Sequence, residues 1–309
     1  MNTYRNILVV IDPKSQEQKS LKRALFLAHL TQASVTALVS IYDFSYEMTT
    51  ILSGEERESM RSSVIKDRQI WLDKLIKSEN SYNIPIATEV VWHNRPFESI
   101  ISTVIKNDHD IVIKATHHHD RLKSVIFTPT DWHILRKCPC TVLLVKDHDW
   151  PSEGNIIAAL NVASDEAEHQ SLNQKITEQS LGLAQLIQAH VHLVNSFPGS
   201  PVNISYEIPE FNIVNYQDNM KQHHIKAMKK HAEKYNIPET NTHVEEGLPE
   251  DIIEAKANEL DSELVVLGCV GRTGISAALI GNTAENVIDQ LNCDLLALKP
   301  NNFVSPMSV

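Results

Sequence analysis

The stretch Gly268-Cys-Val-Gly-Arg-Thr-Gly-Ile-Ser-Ala-Ala-Leu-Ile-Gly-Asn-Thr283 decides how the rest of this chain is read. It follows a short apolar run, Glu263-Leu-Val-Val-Leu267, and precedes a segment with helical spacing, Ala284 to Leu291. Strand, glycine loop, helix is an arrangement that turns backbone N–H groups toward an anion at a helix N-terminus. Gly268 ends the strand where a side chain would block a close approach. Asn282 and Thr283 follow Gly281 and offer a cap and a hydroxyl at the mouth of the helix. The spacing is Gly, two residues, Gly, nine residues, Gly-Asn-Thr. No Lys-Ser or Lys-Thr follows the last glycine, so this is not a Walker loop, and it is not the Rossmann GxGxxG either. A glycine-tolerant turn without a ligand would carry the same glycines.

Outward from this stretch the chain alternates short β-branched runs with helical patterns. Asn6 to Asp12 reads as a buried parallel strand, and Leu21, Ala24, Leu25 and Ala28 then recur at helical spacing. Val35 to Ile41, Ala87 to Trp92, Ile111 to Ala115 and Thr141 to Lys146 supply four more strands, with helices at Glu55–Lys77 and Pro96–Lys106 between them. The plan then repeats. Asn155 to Asn161 mirrors the first strand at an offset of 149 residues. From Asn83-Ile-Pro85 onward the offset is 153 without a gap, pairing Pro96 with Pro249, Asp110 with Glu263, Cys140 with Cys293 and Lys146 with Lys299. The reading is α/β: two tandem, doubly wound, five-stranded parallel-sheet domains at residues 1–147 and 155–300, with a linker at 147–154 and a tail at 301–309. In such sheets ligands sit beyond the carboxyl ends of the strands, where the strand order switches.

The loop resembles that of the universal stress protein family, in which a run such as (D/E)-L-V-V-L-G-x-x-G-R leads to a second part, G-(S/T/N)-(S/T/V). Glu263 to Arg272 and Gly281-Asn282-Thr283 match it position by position. The resemblance covers nearly the whole chain up to Pro300. It implies the strand order 3-2-1-4-5 of the adenine nucleotide alpha hydrolase-like fold, and ATP or a related nucleotide, accompanied by Mg²⁺, as the ligand. It further implies a cytoplasmic, regulatory stress-response role rather than dedicated catalysis, and two halves packed as an intramolecular pseudo-dimer, a further homo-oligomer remaining open. Slow ATP hydrolysis, and carriage of another nucleotide-diphosphate ligand such as a nucleotide-sugar, are the alternatives. The positions carried over for the nucleotide are Asn161, Ser196, Leu267, Gly268, Gly271, Arg272, Gly281, Asn282 and Thr283.

The halves differ chemically. At the 153-residue offset Gly268 falls on Ala115, Gly271 on His118, Gly281 on Thr128 and Asn282 on Pro129, so the first half loses the three glycines and one N–H donor. The nucleotide is therefore expected in the second half alone. The Asp that the family carries at the end of strand 1 is Asp12 in the first half but Asn161 in the second, which removes a charge while keeping hydrogen-bonding capacity.

Bulk properties exclude several classes. A net charge of −11 argues against a general binder of nucleic acid or of an anionic membrane, since such partners need a basic face. No apolar run reaches the ~18 residues of a membrane span, and the start MNTYRNILVVID lacks a signal-peptide pattern. Four cysteines fit a reducing compartment. His117-His-His-Asp120 and Cys138-Pro-Cys140 together could ligate zinc, but three consecutive histidines cannot point one way, and no metal is expected. Neither G-x-S-x-G nor H-E-x-x-H occurs, and no catalytic residue is assigned.

Overall fold

The computed structural model describes residues 4–47, 52–118, 125–126, 128–146, 149–199, 213–269, 287–288 and 291–307. Two compact units result, one comprising Thr3–Lys146 with Val304–Val309, the other built on Asp147–Phe303.

In the first unit the chain runs β1 (Asn6–Val10), α1 (Lys19–Thr31), β2 (Ser34–Ile41), α2 (Phe44–Glu47), α3 (Gly54–Glu79), β3 (Ile86–Trp92), α4 (Pro96–Asn107) and β4 (Ile111–Ala115). A two-residue antiparallel pair follows, β5 (His117–His118) with β6 (Val125–Ile126), then α5 (Pro129–Lys137) and β7 (Thr141–Val145). The five longer strands pair in parallel in the order β7-β4-β1-β2-β3. The second unit has β8 (Asn155–Ala159), α6 (Ala167–Ile187), β9 (His190–Phe197), the helix Ile213–Lys234, β10 (Thr242–Glu246), the helix Pro249–Glu259, β11 (Leu264–Gly268) and β12 (Asp294–Leu298). Its order is β10-β9-β8-β11-β12, again all parallel. Counted within each unit both orders are 3-2-1-4-5, as the resemblance implies.

Central strands are buried on both faces because helices cover each side of the sheet, which is why NILVV and LVVLG read as continuous rather than alternating apolar runs. The repeat extends to single hydrogen bonds. Asp110 accepts the N–H of Arg5 at 2.7 Å and that of Asn6, and the Asn6 amide donates to the Asn107 carbonyl at 2.8 Å. In the second unit Glu263 accepts the Asn155 N–H, and the Asn155 amide donates to the Leu260 carbonyl at 2.8 Å. Left-handed residues recur in pairs as well: Gln32 with Gln188, Asn83 with Asn236, Asp108 with Asp261. Each turns the chain after a helix or before a strand, and in two of the three pairs the residue is Asn or Asp, which tolerate φ > 0.

One difference matters for the site. The offset between copies rises from 149 at β1 and β8 to 156 at β2 and β9, seven residues, and the extra chain is helical: α1 has 13 residues and α6 has 21. Both helices end at the paired residues Gln32 and Gln188, so the added turns lie at the N-terminal end of α6, toward the carboxyl end of β8. At the other end of the chain the Ser305 hydroxyl donates to the Lys137 carbonyl at 2.7 Å, which holds the C-terminal residues on the first unit. No helix among the described residues is long and apolar enough to cross a membrane.

Neighbouring strands β9 and β10 carry a stacked histidine pair, His192 Nδ1 lying 3.2 Å from His243 Nε2 and His192 Nε2 3.1 Å from the Asn155 amide oxygen. Burial lowers the pKa of His192 to about 4, helped by the neighbouring His243 and His190. Burial lowers that of His243 too. The folded state therefore binds fewer protons than the unfolded chain below the unfolded pKa of ~6.5. Stability from this pair is complete above that pH and is lost as pH falls toward 4. For His192 the ceiling is ~3 kcal/mol, reduced to about 1–2 kcal/mol by partial solvent access. Urea unfolding at pH 7 and pH 4.5 checks this: His192→Gln should flatten the difference, and an unchanged pH slope would refute it.

Candidate nucleotide site

Four of the nine positions singled out in the sequence come together. Asn161 follows the carboxyl end of β8, Ser196 lies near the end of β9, and Leu267 and Gly268 end β11. They line one cleft of about 340 Å³. Parallel strands deliver them there, because the carboxyl ends of adjacent strands of opposite crossover direction leave a crevice. Gly271, Arg272, Gly281, Asn282 and Thr283 lie outside the described residues.

The walls are neutral. Besides the four, Leu172, Ile176, Val194 and Ile253 contribute apolar surface and Asn173 an amide. Among the described lining residues His169 is the only ionisable one. Such a lining suits an uncharged planar group with a few hydrogen-bonding edges. Among the described lining residues none is a lysine or an arginine. Cys269 is buried, and burial pushes its thiol up, so it has the character of a packed core thiol rather than of a reactive one.

The added turns of α6 build much of this wall. Asn173 clamps the Asn161 backbone, accepting its N–H at 3.0 Å and donating to its carbonyl at 2.8 Å. Buried Asn195 accepts the Val162 N–H at 3.1 Å and donates to the Ser196 carbonyl at 3.0 Å and to His224 Nδ1 at 2.8 Å. These bonds fix the two strand ends relative to each other beside the cleft. Gly268 has a role in packing: a Cβ there would lie 2.7 Å from Leu172 Cγ and closer still to Cδ2. Sequence reading missed Asn173, Asn195 and Leu172. A signal existed for Asn195, since at the 156-residue offset it replaces Val39, and a polar residue in a buried strand asks for partners. The other two sit in the insertion and have no counterpart.

The first unit has a cleft at the equivalent place, about 930 Å³, bounded by Asp12, Ser40, Pro96 and Ala115. Its walls are charged, with Lys14, Asp43, Arg68 and Lys146. Beyond Ala115, Thr128 caps α5 and Pro129 occupies its first turn, where a missing N–H costs nothing. As for zinc, Cys138 Sγ and Cys140 Sγ are 3.5 Å apart, and their mutual hydrogen bond with burial raises the Cys140 thiol. His119 and Asp120 lie outside the described residues. Among the described residues no three His, Cys, Asp or Glu side chains gather in a metal-binding group.

The sequence pattern of the universal stress protein family matches residues 3–146 and again 159–299. Universal stress protein E of Escherichia coli strain K12 is 49% identical over 310 residues, covering 100% of this chain and 98% of that protein. The universal stress protein E homolog of Haemophilus influenzae is 42% identical over 307 residues, covering 96% and 98%. Among solved structures, a putative universal stress protein from Pseudomonas aeruginosa UCBPP-PA14 superposes with a TM-score of 0.75 at 30% identity, covering 97% of this chain and 95% of that one. One from Archaeoglobus fulgidus shares the fold, with a TM-score of 0.68 at 13% identity over 95% and 98%. With the domain pattern present twice and the likeness running the full length, the chain belongs to the universal stress protein family as a tandem of two of its domains.

Proposed function

We propose that the second half binds ATP or a related nucleotide and that the chain acts as a nucleotide-responsive regulatory module of the stress response. The observation that carries this reading is the cleft itself. It lies at the strand switch, joins Asn161, Ser196, Leu267 and Gly268, and opens where the loop Gly268–Thr283 begins. A base and sugar fit the neutral walls. The N–H groups of the loop, with Asn282, Thr283 and Arg272, are matched to phosphates and their Mg²⁺. Asn161 in place of an acidic residue leaves the sugar contact uncharged, so affinity should depend chiefly on the phosphates. Isothermal titration of ATP into the full chain tests this, with about one nucleotide per chain expected and loss of binding in Gly281→Val. Adenosine should bind far more weakly than ATP; equal affinity would remove the loop from the account.

A further inference from the structure

The first half keeps a buried ion pair where the second half has none. Lys114, on β4, is 8% exposed, and Asp131, on the first turn of α5, is fully buried. Lys114 Nζ lies 2.8 Å from Asp131 Oδ1 and donates to the Ala115 carbonyl at 2.9 Å. Asp131 Oδ2 accepts the Thr128 N–H at 2.7 Å and the Thr128 hydroxyl at 2.8 Å. At the 153-residue offset Lys114 corresponds to Leu267, Thr128 to Gly281 and Asp131 to Ala284.

Capping does not require this arrangement. Helix α3 carries the same reciprocal cap, Ser53 with Glu56, on the surface and with no lysine against it. Burying a carboxylate with an ammonium is costly, and an apolar pair of similar volume is often as stable or more so. At the corresponding positions the second half has Leu267 and Ala284, neither of which carries a charge. What Asp131 receives is the donor set of a bound oxyanion: a backbone N–H at a helix N-terminus, a hydroxyl and a cation. The N–H it takes belongs to the residue that corresponds to Gly281.

We propose that the Asp131 carboxylate is an internal anion filling the seat that corresponds to the phosphate seat of the second half, and that the Asp131–Lys114 pair keeps phosphate out of the first half. The correspondence rests on the nucleotide reading of the second half; the filled seat does not. Ala115, whose carbonyl holds the Lys114 ammonium, lines the charged cleft. Ligands of that cleft are thereby selected for lacking a phosphate at this end. Loss of the loop glycines alone does not explain the selection, because the N–H of Thr128 is still present and is simply occupied.

The test is anion rescue in the full-length protein. Asp131→Ala leaves the Lys114 ammonium buried and unpaired and should lower Tm by about 5–15 °C. Inorganic phosphate, at about 50 mM against chloride of matched ionic strength, should then raise Tm several degrees more than in the wild type. The double variant Lys114→Leu with Asp131→Ala also frees the Thr128 N–H but removes the cation, and it should keep a phosphate response smaller than that of Asp131→Ala. If Asp131→Ala folds only in the presence of phosphate, the proposal is supported. It is overturned by a phosphate response of Asp131→Ala no larger than that of the wild type, by one equally large in the double variant, or by failure to fold with and without phosphate. Because the readout is an increment over the wild type, it stands whether or not the second half binds nucleotide.

Discussion

Gly281→Val is expected to abolish ATP binding while leaving the protein folded. On the proposed reading the phosphates sit beside Gly281, Asn282 and Thr283, and a valine side chain at 281 would compete for that space. Losing two or three charge-assisted hydrogen bonds at ~1.5–3 kcal/mol each corresponds to at least a hundredfold in affinity. The corresponding position of the first half supports both parts of this expectation. Thr128 has φ −78° and ψ 158°, an extended conformation open to β-branched residues, so the fold accepts a side chain there. Its N–H donates to a carboxylate at 2.7 Å, so this point of the fold does present a donor to an anion. Circular dichroism and calorimetric titration of the variant check the two halves of the prediction. Binding within threefold of the wild type would sink the assignment of the loop.

Gly268→Ala should destabilise the second unit by about 1–3 kcal/mol, the usual cost of forcing extra volume into a packed site. The added Cβ meets Leu172, which is 4% exposed and cannot swing into solvent. Leu172→Ala alone should also destabilise, by ~2–5 kcal/mol, through the cavity it leaves. Together the two changes should cost less than their sum, since the smaller side chain vacates the space that the new methyl group needs. Chemical denaturation of the two single variants and the double variant provides the cycle. Costs that add to within ~0.5 kcal/mol would show that Leu172 is not what the glycine accommodates.

Much of the fold was legible because its signals are local and occur twice. Buried parallel strands are continuous β-branched runs, and Asp110 with Glu263 or Asn83 with Asn236 recur at a fixed offset. The topology then places Asn161, Ser196, Leu267 and Gly268 together without further information, because parallel order sends every carboxyl end to the same edge. The limits of β1 were read to Asp12 whereas the strand ends at Val10, since apolar character outlasts the hydrogen-bonded ladder by a residue or two.

What the sequence by itself determined was thus the tandem α/β plan, the crevice at the strand ends and the half that carries the glycine loop. Only the tertiary structure decided what fills the space around them. The extra turns of α6 could not be placed from the repeat, because an insertion has no counterpart to align with. Leu172 against Gly268 and Asn173 on the Asn161 backbone therefore emerge only from packing. Lys114 and Asp131 were unreadable for a different reason: a lysine in an apolar strand and an aspartate in a helix cap each look like surface residues until burial brings them to 2.8 Å. Periodicity records which face a residue lies on, whereas the partner of a buried charge is set by how separate elements meet.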